Sequence, residues 1–323
     1  MTIPHASSDR LYRATNALAP FHRFLEFFEA HNRNPAANNF AFGNPQEMPL
    51  KGFVAALQSW SAPQDKDWFA YKMNEESARE TVAASLRAWR GAPFEADDIL
   101  MTNGGFAAIA GGLNTGVSPG EGVIYITPPW FFYEALIYMT GARPVRVPIQ
   151  AVTFDLDLAA IEAAITERTR AIIVNSPNNP TGKIYPPETL RGLAELLTEA
   201  SERQGRPVYL LSDEAYSRII FDNRRYHSAT SYYPYSLLLY TYSKTLPPPM
   251  PDRAAMREHL FTGQLVTGFA FPNALLQHAL ADLEKLSIDV SYLEDKRNWL
   301  IDELSAIGYQ VHAPEGTFYL LPR

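Results

Sequence analysis

Ala171-Ile-Ile-Val-Asn175 is an apolar, β-branched run halted by the loop Ser176-Pro-Asn-Asn-Pro-Thr-Gly182. From about Pro187 to Glu202 the period becomes that of a helix, with Leu190, Leu193, Leu196 and Leu197 on one side and Gly205 at its end. A second apolar run, Pro207-Val-Tyr-Leu-Leu-Ser212, follows at once. Strand, helix and strand in that order predict a right-handed crossover and a parallel pair. The pattern extends both ways. Upstream, Gly122-Val-Ile-Tyr-Ile-Thr127 reads as a buried strand stopped by Pro128-Pro129, and Asp157 as the N-cap of a helix carrying Leu158, Ile161 and Ile165. Downstream, Ser236-Leu-Leu-Leu-Tyr-Thr241 leads into Lys244. The expected fold class is α/β, a large domain whose mostly parallel sheet is flanked by helices.

Beyond Ala274 the pattern changes. Residues 274–286 and 293–307 read as helices, and Gly308–His312 and Thr317–Leu321 as a hairpin around Pro314-Glu-Gly316. The expected division is an N-terminal arm with part of a small domain (1–48), a large domain (49–274) and a small α+β domain (275–323). Phe21, Phe24, Phe27 and Phe28 share an apolar helix face, read as core packing with a pocket wall as the alternative.

Composition narrows the function. The 323 residues carry 28 basic and 35 acidic side chains, a net charge of −7, so no basic surface is expected to bind nucleic acid. Cysteine is absent, which removes thiol nucleophiles and cysteine-ligated metals, and the seven histidines show no metal-ligand spacing. No apolar run reaches the ~18 residues of a membrane span, so no membrane partner is expected. The N-terminus lacks the order of a signal peptide, and an intracellular, cytoplasmic protein is expected. Gly116-Val-Ser-Pro-Gly120 matches a nucleophile-elbow pattern, but a helix precedes it and a strand follows, the reverse of an elbow. It reads as a turn.

Three polar side chains leave three strand ends at the carboxyl edge of the expected sheet, where such folds bind ligands: Asn179, Asp213 and Lys244. Singly they read as a turn residue, a strand-end cap and a solvated lysine. Together, and in this order, they suit a pyridine-ring cofactor. A carboxylate keeps a ring nitrogen protonated, Asn and a Tyr phenol bond a ring oxygen, and a partly desolvated Lys holds an aldehyde as a Schiff base.

Asn179-Pro-Thr-Gly182, Asp213-Glu-Ala-Tyr216 and Ser243-Lys-Thr245 resemble the signature set of fold-type I pyridoxal-phosphate enzymes, specifically the class I/II aminotransferases related to aspartate aminotransferase. Gly43-Asn-Pro45 resembles the family's turn near the substrate, and Trp68-Phe-Ala-Tyr71 the segment whose Tyr reaches the neighbouring subunit's cofactor phosphate. Thr102-Asn-Gly-Gly-Phe106 resembles the turn opening the phosphate-cradling helix. Pro129-Trp-Phe-Phe-Tyr133 resembles the segment whose aromatic stacks on the ring, and Pro314–Tyr319 the small-domain hairpin. The resemblance implies pyridoxal 5'-phosphate held by Tyr71, Gly104, Gly105, Phe106, Trp130, Asn179, Asp213, Tyr216, Thr241, Ser243 and Lys244. Catalysis would fall to Lys244, Asp213, Tyr216 and Asn179, and substrate contact to Gly43, Trp130 and Asn179. Backbone N–H groups at a helix start suit a phosphate dianion. Gly105 as a plain turn and Trp130 as a core aromatic remain the alternatives.

Two parts of the family pattern are not found. The Gly-x-Arg-x-Gly turn expected about ten residues after the Lys is replaced by Pro247-Pro-Pro-Met-Pro-Asp-Arg253, where Arg253 has no flanking Gly. The Arg that binds the substrate carboxylate would lie several tens of residues past the Gly-Thr-Phe-Tyr hairpin, beyond Arg323. A stretch missing between Leu246 and Pro247 is therefore expected. The implied activity is amino transfer from an amino acid to a 2-oxo acid through a Lys244 Schiff base, in a homodimer with the site at the subunit interface. A β- or γ-lyase or synthase of the same fold, or a shortened inactive homologue, is the alternative.

Overall fold

A computed structural model describes residues 7–31, 34, 40, 47–91, 93–240, 250–322 and the backbone of 243–245. Helices α1 (Asp9–Ala17), α2 (Ala19–His31), α3 (Lys51–Trp60) and α4 (Glu76–Arg90) lead to β1 (Ile99–Met101). Then come α5 (Gly104–Gly116), β2 (Gly122–Thr127), α6 (Tyr133–Met139), β3 (Arg143–Pro148), α7 (Leu158–Ala164) and β4 (Thr169–Asn175). After α8 (Pro187–Gln204), β5 (Tyr209–Asp213), β6 (Ser236–Leu239) and β7 (Ser243–Thr245), the chain ends in α9 (Arg253–Val266), α10 (Ala274–Leu283) and α11 (Val290–Ala306).

The described strands form one sheet in the order β1-β7-β6-β5-β4-β2-β3. Only β7 runs against its neighbours, so β1 is parallel to β6. Helices cover both faces, which explains the continuous apolar runs. Ala171 and Ile173 of β4 enter one core with Val123, Tyr125, Leu211 and Leu237, beneath α5 and α9. Ile172 and Val174 enter the other with Ile124, Ile126, Leu210 and the leucines of α8. The predicted local signals are present. Asp157 caps α7 by accepting from Ala160 N, and Gly205 ends α8 in the left-handed region at φ 64°. Gly120, φ 84°, turns the chain from α5 into β2, as read for the Ser118 motif.

Three expectations are corrected. The hairpin over 308–321 reduces to a single bridge, Val311↔Pro322, and Gly316 bridges to Ile220 instead. Glu315 N and Gly316 N take a non-local backbone partner, both donating to Gly182 O. The phenylalanines of α2 are not core. No residue of that helix is buried, and Phe21 stacks on Phe131 (4.6 Å between centroids) and edges onto Phe132 (5.3 Å). Strands β1, β3 and β7 have no counterpart in the sequence reading. Residues Leu246–Pro247, where a missing stretch was expected, lie outside the described residues. Among the described residues no helix is long and apolar enough to cross a membrane.

Candidate active site

Strands β1, β2, β4 and β5 deliver their following loops to one edge of the sheet. Asp213 is the last residue of β5, and its backbone oxygen accepts from Asn175 Nδ2 (2.9 Å) and Ser176 N (3.1 Å) at the end of β4. Its carboxylate is buried. Oδ2 accepts from the Tyr133 hydroxyl at 2.5 Å and Oδ1 from Ala215 N at 3.3 Å. Burial pushes this carboxyl from 3.8 up to about 6, against the lowering effect of the two donors. The Tyr133 phenol is held well above its ordinary value, first by burial and then by the adjacent charge.

Behind Asp213, Glu214 is fully buried and ion-paired with Arg90. Ser212 Oγ and Ser228 Oγ also donate to Glu214, at 2.7 and 2.6 Å. This network fixes the backbone from which Asp213 projects, and Glu214 N is itself tied to Leu239 O at 2.9 Å.

The loop after β4 brings in Asn179, whose N–H is held by Asn175 Oδ1 at 2.6 Å. Asn179 Nδ2 reaches Tyr216 Oη at 3.5 Å, and Tyr216 Oη lies 3.1 Å from Tyr319 Oη. Burial is also the first cause that raises the Tyr216 phenol. Three residues expected at the site, Asn179, Asp213 and Tyr216, thus converge.

The loop after β1 opens α5. Gly104 takes φ 80° and donates its N–H to Thr102 O at 2.9 Å, so it is not available as the sequence reading expected. The N–H groups of Gly105 and Phe106 fall in the first helical turn, where no intrahelical acceptor exists. A Cβ added at Gly104 or Gly105 would meet nothing within 4 Å, so open space lies before this helix start. Trp130, half-buried in the loop after β2, edges onto Tyr133 (5.4 Å) and Phe106 (4.6 Å).

Lys244 lies on β7. Its Cα partners are Leu239 of β6 and Leu100 of β1, and Leu239 in turn pairs with Asp213, which pairs with Asn175. Asn175, Asp213, Leu239 and Lys244 therefore form one row across the sheet. At ~4.8 Å per strand, the Asp213 and Lys244 backbones stand roughly 10 Å apart. Ser243 pairs with Met101, the last residue of β1 before the Gly104 turn. Gly43 and Thr241 lie outside the described residues. Tyr71 is 82% exposed, its ring 4.6 Å from Phe271.

Arg253, at the distance from Lys244 where the family pattern has its phosphate arginine, has another partner here. It is bound to buried Asp98, which also takes Arg257 Nη2 at 2.6 Å, and Asp98 precedes β1 at the opposite edge of the sheet. Tyr133 contacts Asp213 and Tyr319 contacts Tyr216, and no spacing in the sequence assigns either tyrosine a role.

The residues present fit a pyridoxal cofactor. Among the described residues Asp213 meets a phenol and an amide N–H but no cation, and an isolated buried carboxylate is costly. A protonated ring nitrogen is the partner it lacks. Open space before the α5 first turn suits a phosphate dianion.

A family model for aminotransferase class I and II matches residues 36–247. A probable aspartate/prephenate aminotransferase from Thermus aquaticus is 29% identical over 308 residues, spanning 87% of this chain and 74% of that protein. The arginine–pyruvate transaminase AruH of Pseudomonas aeruginosa is 30% identical over 257 residues, 77% of this chain and 58% of that one. A crystal structure of an aminotransferase from Eubacterium rectale superposes with a TM-score of 0.91 at 25% identity, covering 99% of this chain and 85% of that one. With the sheet order, the strand-end residues and these matches in hand, the chain belongs to the aminotransferase class I and II family, a family of pyridoxal-phosphate enzymes.

Proposed function

We propose that this chain moves an amino group from an amino acid to a 2-oxo acid with Lys244 as the amine that engages the cofactor. Transamination and pyridoxal phosphate follow from the family. The residue assignments are our own. They rest above all on Asp213, a buried carboxylate that meets no cation among the described residues, in the same sheet row as Lys244. Pyridoxal phosphate supplies an aldehyde for the amine and a ring that accepts electrons from the substrate Cα.

In this reading Asp213 holds a proton on the ring nitrogen. Tyr216 and Asn179 bond the ring oxygen, and Trp130 lies against the ring. The N–H groups of Gly105 and Phe106 bind the phosphate, joined by the hydroxyls of Thr241 and Ser243. Lys244 Nζ would take the proton from the substrate Cα and return it two atoms further on, a 1,3-shift, as general base and then acid. Gly43 borders the substrate.

The assembly is a homodimer with the site at the interface, and Tyr71 of a second copy reaches the phosphate. The exposed Tyr71–Phe271 pair and the half-exposed Phe106 and Phe131 support a covering partner. Residues 49–274 form the cofactor domain, 275–323 the smaller one, and 1–48 an N-terminal arm with part of the small domain, whose Phe21 packs on Phe131. A cytoplasmic location belongs to the same reading, because free amino acids and 2-oxo acids are metabolites of the cell interior.

Incubation with single amino acids and 2-oxoglutarate tests the activity. The keto acid and glutamate should appear in equal amounts. Ammonia in their place assigns elimination, and no turnover by cofactor-loaded protein assigns the shortened inactive homologue.

A further inference from the structure

Residues 314–319 enter the site from the far end of the chain and are fixed from three sides. Glu315 N and Gly316 N both donate to Gly182 O, at 2.9 and 3.1 Å. The Glu315 carboxylate accepts from Ile184 N (2.9 Å) and Lys183 Nζ (3.1 Å) and pairs with Arg224 (3.3 Å). Across the segment, Phe221 N donates to Glu315 O (2.9 Å), Thr317 N to Ile219 O (3.1 Å) and Arg297 Nη1 to Pro314 O (2.9 Å). A Cβ on Gly316 would come within 2.5 Å of Ile219 O, so only glycine permits this approach. Thr317 then turns the chain at φ 71°, and its hydroxyl accepts from Tyr319 N at 3.1 Å. Tyr319 is thereby placed edge-on to Tyr216, rings 5.6 Å apart at 89° and hydroxyl oxygens 3.1 Å apart.

The direction of that hydrogen bond matters. A phenol has one proton to give and lone pairs with which to receive. Asn179 Nδ2 is a donor and already points at Tyr216 Oη. If Tyr216 gave its proton to Tyr319, it would have none for another partner. If it accepts from both Asn179 and Tyr319, its own proton is directed at a third group. We infer that Tyr319 is a positioning residue: by donating to Tyr216, it turns the Tyr216 proton onto the ring oxygen of the cofactor. The inference rests on the cofactor placement proposed above. It gives the C-terminal segment, more than a hundred residues from Tyr216, a part in setting the cofactor's protonation.

The test is a pH titration of the visible band of bound pyridoxal phosphate, without substrate, in the wild type, Tyr216→Phe, Tyr319→Phe and the double variant. Tyr216→Phe should move the midpoint. Tyr319→Phe should move it the same way by about half a pH unit, the scale of one neutral hydrogen bond. In the double variant the second change should add nothing. A shift in Tyr216→Phe with none in Tyr319→Phe overturns the inference and leaves the functional reading intact. A Tyr319→Phe shift that persists undiminished in the Tyr216→Phe background also overturns it, because the effect then travels by another route. No band in the wild type, or no shift in either single variant, overturns the cofactor placement and the inference together.

Discussion

The Tyr133 hydroxyl, from the first residue of α6, and the Asp213 carboxylate, from the last of β5, meet at 2.5 Å, and both groups are buried. One proton thus sits between a phenol that resists losing it and a carboxyl whose affinity for it has risen to about 6. Among the described residues the pair meets no cation.

A stability prediction follows for cofactor-free protein. Asp213 binds its proton more tightly folded than unfolded, so its contribution is most favourable below about pH 4 and is lost as pH rises through about 6. The loss amounts to roughly 3 kcal/mol at most. Asp213→Asn should therefore unfold at higher urea than the parent at pH 8 and show no such advantage at pH 4. A parent that outlasts the variant at pH 8 would show that the carboxylate is already compensated.

Arg90 and Glu214 form a buried ion pair, their side chains 6% and 0% exposed. Removing the cation alone strands Glu214. Arg90→Met should cost about 3–5 kcal/mol in equilibrium unfolding, and adding Glu214→Gln should recover part of it. Strict additivity of the two changes would argue against a coupled pair.

Gly182 takes φ 71°, and a Cβ there would overlap Pro314. Its carbonyl also anchors Glu315 and Gly316. Gly182→Ala should lower stability by about 2–4 kcal/mol and expose the C-terminal segment to limited proteolysis. Parental protease resistance would mean that the segment does not depend on this contact.

Arg253 is bound to Asp98. Arg253→Ala should cost about 1–3 kcal/mol of stability, softened by Arg257 on the same carboxylate, and leave pyridoxal phosphate affinity within about twofold. A tenfold loss of affinity at unchanged stability would return Arg253 to the phosphate.

Much of this fold is legible in the sequence because β2, β4 and β5 are buried on both faces and write continuous apolar runs. Strand β3 hides because it lies at the sheet edge, with Arg143 and Arg146 exposed. Strands β1 and β7, three residues each, pair across more than a hundred residues and leave no local signal. The same holds in the site. Asn179, Asp213 and Tyr216 lie at or just after strand ends and are readable from that rule. Tyr133 and Tyr319 act on partners 80 and 103 residues away, a distance no spacing encodes. The 314–319 segment reads as a hairpin because its true partners, Gly182 and Ile219, are equally remote.

In the proposed function Lys244 is the residue that engages the cofactor. Lys183 is the rival, since it follows the Asn179 loop and pairs with Glu315 at 3.1 Å. Borohydride treatment of the cofactor-loaded protein, followed by peptide mass mapping, decides between them. Covalent cofactor should appear on the peptide containing Lys244 and be absent from Lys244→Ala. Cofactor fixed on the Lys183 peptide, or equal labelling of the Lys244→Ala variant, would contradict it.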